Sequence, residues 1–373
     1  MTHTIYSPQS LRDRLYFIDI VRAFAIIMML QGHFIDTLLD NSYRNLNSEG
    51  FALWSFFRGI TAPIFFTISG LIFTYLLLKA KEKGLENYRI KKGITRGFYL
   101  ISIGYFIRIN FKNLFSGTIS SSFFAVDVLQ CIGLSLILTV SIFFLCNKKV
   151  IFFSIVTLIL GILIFVFEPL YRVLNIEGVP LLIHNYISKS NGSVFRILPW
   201  YGYSSMGAFI ATLFYWNLGK KHFKTTLISS FICVGLILIF YSSNILMQVF
   251  DITKIEVISE AADYNYLFTK LGYVLLYFAF FYSLEKKLKH SLILNIGKNT
   301  LAIYVIHFIL LYGSFFGIGF KIIGRNLSPI EVGIGALLFL ILVLYTSFNY
   351  TKVSPFLKRY TTKLQIPVLY FKN

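Results

Sequence analysis

The chain has 373 residues, of which 56% are hydrophobic, 18% aromatic and only 14% charged. A soluble domain carries nearer one quarter charged residues, and the apolar blocks here run to about 18–25 residues, the length that spans hydrocarbon. The formal charge of +19 does not point to nucleic acid: Lys and Arg sit in short clusters between apolar blocks, as in cytoplasmic loops.

Block length predicts about ten spans, near 15–36, 52–78, 96–111, 124–146, 150–168, 198–216, 225–247, 266–284, 294–313 and 329–348. The expected fold is all-α, a polytopic membrane helix bundle forming one domain over 1–373. The first ten residues lack an apolar core, so no cleavable signal is expected and the first span reads as an uncleaved anchor. Basic clusters follow every second span: Lys79, Lys81, Lys83, Arg89, Lys91, Lys92 and Arg96, then Lys148–Lys149, Lys220–Lys221, Lys286–Lys287 and the tail from Lys352 to Lys372. With ten spans these fall on the side of Arg12 and Arg14, so both termini are expected in the cytoplasm. The long loop 169–197 is then non-cytoplasmic and can fold over a cavity mouth. Cys131, Cys146 and Cys233 lie in apolar blocks without metal spacing and read as small core residues.

The first span carries the most information. Asp19, Arg22, Gln31, His33 and Asp36 interrupt an otherwise apolar helix, and ionisable groups inside a membrane are costly enough to mark functional sites. At ~100° per residue, Arg22 and His33 share an azimuth to within about 20°, while about 16 Å of axial rise separates them. Asp19 and Asp36 fall on the same side, and Gln31 does not. His33 is a candidate general base or acyl acceptor. Arg22 suits a phosphate or a pantetheine amide, with Asp19 one turn away to fix its rotamer. A carboxylate orienting His33 is expected from Asp36 or from another helix.

Later spans add candidates. Pro63 is expected to kink the second. Arg108 and Asp127 are both expected near the outer leaflet, as an ion pair or a polar cavity wall. The aromatics of Pro199-Trp200-Tyr201-Gly202-Tyr203 fit an interfacial belt, with stacking on a sugar as the alternative. In the ninth span, Lys298 and Asn299 lie near a helix N-terminus that suits phosphate. His307 is expected deep in the membrane, where an imidazole needs a partner. No P-loop, HExxH, CxxC or Gly-rich nucleotide turn occurs.

Four stretches in order carry a resemblance: Phe17-Ile-Asp-Ile-Val-Arg22 continuing to His33 and Asp36; Asp127-Val-Leu-Gln-Cys-Ile-Gly133; Leu198-Pro-Trp-Tyr-Gly-Tyr203 with Gly207; and Ile296-Gly-Lys-Asn-Thr-Leu-Ala-Ile-Tyr-Val-Ile-His307. Together they resemble the transmembrane acyltransferase superfamily, and most specifically bacterial relatives of the heparan-α-glucosaminide N-acetyltransferase catalytic family. Many relatives have Arg-Gly where this chain has Arg22-Ala23. The resemblance implies a cytoplasmic acyl-CoA donor, acetyl-CoA above all, without a metal, and an acceptor on the far side of the membrane, often a glycan. It places His33 at the family's polar first-helix position, with Arg22 and Asp19 below it, whereas the animal lysosomal enzymes differ around this position and place their catalytic histidine further along; His33 is the catalytic residue expected here. Arg22, Asp19, Arg96, Lys298 and Asn299 fall on the donor side, and Asp36, Asp127 and His307 on the acceptor side. The expected setting is a bacterial cytoplasmic membrane, with small-residue helix faces that permit a homodimer. An acyltransferase-3-type O-acyltransferase and a transporter of a polar or lipid-linked substrate are the rival readings.

Overall fold

The computed structural model describes residues 15–174, 176 and 178–364. Arg12, Arg14 and the end of the basic tail lie outside the described residues. The described chain is helical, without a β-strand. Its main helices are α1 (Tyr16–Leu38), α2 (Glu49–Glu82), α3 (Glu86–Phe106), α4 (Val128–Leu145), α5 (Val150–Val166), α6 (Ile197–Asn217), α7 (Phe223–Phe240), α8 (Tyr266–Ser283), α9 (Ser291–Lys298), α10 (Thr300–Tyr312) and α11 (Pro329–Leu364).

Each expected span coincides with at least one of these helices. Among the described residues, five regions are long and apolar enough to cross a bilayer: α1, α2, Ser121–Leu145 containing α4, α7, and α11 up to Tyr350. The α9–α10 pair, bent by 70° at its break, makes a sixth if it counts as one span. The chain is therefore an integral membrane protein. The helices below that threshold include α6, in which Ser204, Ser205 and Thr212 are all buried. Such helices turn polar and small residues inward, which lowers their mean hydropathy without exposing polar groups to lipid.

Two helix crossings depend on glycine. A Cβ at Gly70 of α2 would collide with the Ser204 carbonyl of α6, and a Cβ at Gly207 would collide with the Thr67 carbonyl. These glycines let α2 and α6 run backbone to backbone, the close approach that membrane helices reach with small residues. At Gly297 a Cβ would strike the Asp19 carbonyl, so the α9 end of the bent pair lies directly on the start of α1. Pro63 sits inside α2, which continues unbroken through it.

α1 occupies the middle of the assembly. Its residues Ala23, Ile26, Leu30 and Phe34 join one apolar cluster with α3, α4, α10 and α11, while Phe17, Ile20, Val21 and Ala25 join another with α2, α6, α7 and α8. The polar stripe of α1 thus faces protein. Two expectations need correction. Tyr201 and Tyr203 are buried, and Trp200 stacks on Phe66 at 5.3 Å, so these aromatics are interior packing and not a lipid-facing belt. Cys131 and Cys146 are buried, but Cys233 is exposed on α7, so it is not a core residue. Few α7 residues are buried, so most of this helix faces away from the protein interior.

Candidate active site

Two cavities lie along the polar stripe of α1. The inner one, about 250 Å³, is lined by Arg22, Arg89 and Arg96 with Ser69, Thr300 and Tyr304. The outer one, about 860 Å³, is lined by His33, Arg58, Asp127, Trp200, Tyr266 and Lys270, among others. Met29, Phe65 and Val128 line both. These three apolar side chains form a waist between a cationic chamber and a chamber that holds an imidazole.

The inner chamber brings together three guanidiniums and, among the described residues, no acidic lining side chain. Arg22 donates from Nη2 to the Thr300 hydroxyl at the start of α10, and the charge of Asp19 acts on it from one turn earlier. Asp19 is buried where α9 crosses α1. Arg96 lies over the Tyr99 ring at 5.5 Å. Arg89, counted from sequence only as a loop charge, belongs to this chamber, and its buried Nε has no hydrogen-bond partner. A chamber of this kind suits an anion, because guanidinium forks match phosphate oxygens. Lys298 and Asn299 do not line it. Lys298 is exposed, and Asn299 sits at the α9–α10 break with its amide donating to the Asn295 carbonyl at 3.0 Å.

The outer chamber holds His33 near the end of α1. Its Nδ1 lies 2.8 Å from the Tyr312 hydroxyl at the C-terminus of α10, and the Thr37 hydroxyl donates to the His33 backbone carbonyl at 2.7 Å. The orienting partner is thus a phenol and not a carboxylate. Asp36 is taken up elsewhere, accepting from Arg44 at 3.0 Å and from Arg58 at 2.7 Å. It reaches the chamber only through Arg58, whose aliphatic stem passes Gly32 at 3.5 Å from where a Cβ would be. Gln31, off the stripe, accepts from the Trp54 indole at 2.9 Å.

Asp127 does two jobs. It caps α4 in a capping box with Gln130, and it accepts from Arg108 at 2.8 Å, so the expected ion pair and the expected cavity wall are both present. Its charge also faces His33, as do those of Arg58 and Asp36. His307 is fully buried on α10, its ring 5.4 Å from that of His33.

The loop 169–197 folds over the outer mouth in part: Val194 and Phe195 line the chamber. Their backbone N–H groups both donate to the Val126 carbonyl, at 3.2 and 3.1 Å. The loop is tied down by Glu168, which is buried and held by Arg172 at 2.6 Å and Arg196 at 3.7 Å. In the same loop, burial pushes the Lys189 amine down, Arg196 adds to this, and Glu168 opposes it.

Tyr312, Arg89 and Lys270 line or support the site without being singled out from sequence, and Arg58 of the second span is noted there without a role. Arg58 was visible as a charge within an apolar block. Tyr312 carried no signal, since a tyrosine at a membrane helix end is ordinary. Among the described residues no three His, Cys, Asp or Glu side chains converge as metal ligands do.

A family model described as heparan-alpha-glucosaminide N-acetyltransferase, catalytic, matches residues 14–248, more than half of the chain. The matched segment takes in Arg22, His33, Arg96 and Asp127 and stops before Lys298, Asn299, His307 and Tyr312. No curated protein matches the chain.

Proposed function

The chain belongs to the heparan-alpha-glucosaminide N-acetyltransferase catalytic family, and from that premise we propose a membrane-embedded acyltransferase that takes its acyl group from acyl-CoA. The acyl group is acetyl, the donor enters from the cytoplasm, and the acceptor is a glycan or small molecule at the opposite face. The observation that carries this reading is the pair of chambers sharing the Met29, Phe65 and Val128 waist, one with three arginines and the other with His33. Phosphates of the donor bind Arg22, Arg89 and Arg96. The axial rise of about 16 Å from Arg22 to His33 is a distance that an extended pantetheine arm bridges, bringing the thioester through the waist.

His33 then works as the general base. With Nδ1 engaged by Tyr312, its other nitrogen takes the proton as the acceptor's amine or hydroxyl attacks the thioester carbonyl. The C–S bond breaks, and the thiolate takes the proton back from His33. Ten spans, cytoplasmic termini and a bacterial cytoplasmic membrane complete the proposal, and they put the arginine chamber on the side of the basic loops.

The test is purified protein with labelled acetyl-CoA and a mixture of glycans, comparing wild type with His33→Ala. Loss of transfer with donor binding retained supports the assignment. Transfer at the wild-type rate removes His33 from the mechanism. Substrate uptake into vesicles without any need for CoA favours the transporter reading instead.

A further inference from the structure

Among the buried titratable groups to which the reaction above gives no role, His307 lies nearest the proposed base. His307 is 0% exposed, and neither of its ring nitrogens has a hydrogen-bond partner. The backbone of Ile303 and Tyr304, one turn back on α10, acts on its ring without meeting hydrogen-bond geometry. A buried polar atom left unpaired costs about 1–3 kcal/mol, and an imidazole has two such atoms. The neighbour with matching chemistry is His33, whose ring centroid is 5.4 Å away at an interplanar angle of 44°.

The surroundings limit what else His307 can serve. Tyr304 meets its ring edge-on at 4.9 Å, and Phe308 and Tyr312 lie at 6.2 and 6.5 Å. The Tyr312 hydroxyl is already engaged with His33 Nδ1. Of the charged groups that face the pair, Asp127 is held by Arg108, and Asp36 by Arg44 and Arg58. On its packed face α11 presents Val332, Ala336, Phe339 and Val343, and its Tyr345 is exposed. His307 does not line the outer chamber, whereas His33 does, so His307 meets substrate only through His33.

We propose that His33 and His307 form a proton-sharing imidazole pair, with His33 facing the substrate and His307 as the positioning residue behind it. This rests on His33 being the base of the proposed transfer. When the acceptor's N–H or O–H proton passes to the chamber-facing nitrogen of His33, His307 stays neutral beside the new imidazolium, 5.4 Å away between ring centroids. The pair then holds one added proton, because two adjacent imidazoliums repel. That proton goes to the departing thiolate, leaving both rings neutral. No oxidant, metal or further reactant enters.

Titration of the resting protein separates this proposal from the transfer reading. Full-length protein labelled with nitrogen-15 at histidine is followed by NMR against pH, without donor or acceptor. His33→Ala and His307→Phe assign the two rings. Interacting sites lose their protons in macroscopic steps that belong to the pair, so His33 and His307 are expected to report the same linked steps. In His307→Phe, which keeps a ring in the core, His33 should return to a single independent step, displaced by about one pH unit or more. An unchanged His33 titration in that variant overturns the pairing, whether or not acyl transfer is ever observed. In the transfer assay, His307→Phe should shift the acid limb of the kcat profile while KM for acetyl-CoA stays constant. A uniform loss of kcat at every pH, with the limb unmoved, assigns His307 to packing and also overturns the proposal.

Discussion

Replacing Tyr312 by Phe removes one oxygen atom and tests how His33 is held. The Tyr312 hydroxyl is 2.8 Å from His33 Nδ1. Two nearby groups are already committed: the Thr37 hydroxyl donates to the His33 carbonyl, and Asp36 is bound by two arginines. The ring itself stays, packed on Phe308 at 4.8 Å, so folding should be little affected. Leaving a buried imidazole nitrogen unpaired costs about 1–3 kcal/mol. At ~1.4 kcal/mol per tenfold in rate, kcat for acetyl transfer should fall roughly 5- to 150-fold. The arginine chamber is untouched, so KM for acetyl-CoA should stay within about twofold, because an interaction made with the base and not with the donor changes kcat and kcat/KM together. The assay is steady-state transfer from labelled acetyl-CoA with purified protein, beside His33→Ala as the lower bound. A variant with wild-type kcat, or one in which only KM for acetyl-CoA rises, refutes the role given to Tyr312.

Three further outcomes follow from other parts of the passage. Arg96→Ala, and separately Arg89→Ala, should each raise KM for acetyl-CoA roughly 10- to 150-fold, equivalent to losing one charge-assisted hydrogen bond of about 1.5–3 kcal/mol, with CoA inhibition weakening in parallel; an unchanged KM in both argues against phosphate in the inner chamber. Met29→Trp enlarges a side chain at the waist shared by the two chambers and should abolish transfer while calorimetry still detects CoA binding. Gly207→Ala forces a methyl group against the Thr67 carbonyl and should destabilise the protein by about 1–3 kcal/mol, read as a lower thermal-unfolding midpoint in detergent; a midpoint equal to wild type contradicts the backbone-to-backbone packing of α2 and α6.

The sequence made the helical fold and the α1 stripe legible for a definite reason. Charges in an apolar span are rare, so Arg22, His33 and Asp36 stood out against their neighbours, and helical periodicity alone put Arg22 and His33 on one side. Asp127 and Arg108 were visible for the same reason, and their pairing is as expected. What sequence could not supply was which polar groups satisfy one another. Asp36 reads as the natural orienter of His33, being one turn away, but two arginines compete for it and Tyr312 takes the role from a distant helix. Arg89 reads as one more basic loop residue, because its place in the inner chamber depends on how α3 packs against α1 and α2. The aromatics of α6 read as a belt because composition cannot separate a lipid interface from a protein interior. Lys298 reads as a phosphate ligand from its position near a helix start, yet it is exposed and lines neither chamber.

A structure determined with a non-hydrolysable acetyl-CoA analogue bound tests the two-chamber passage most directly. Phosphates beside Arg22, Arg89 and Arg96, with the pantetheine arm threading between Met29, Phe65 and Val128 and the acyl group within reach of His33, are the expected result. An analogue seated outside the inner chamber, or an acyl group that stops short of the waist with His33 out of reach, contradicts it.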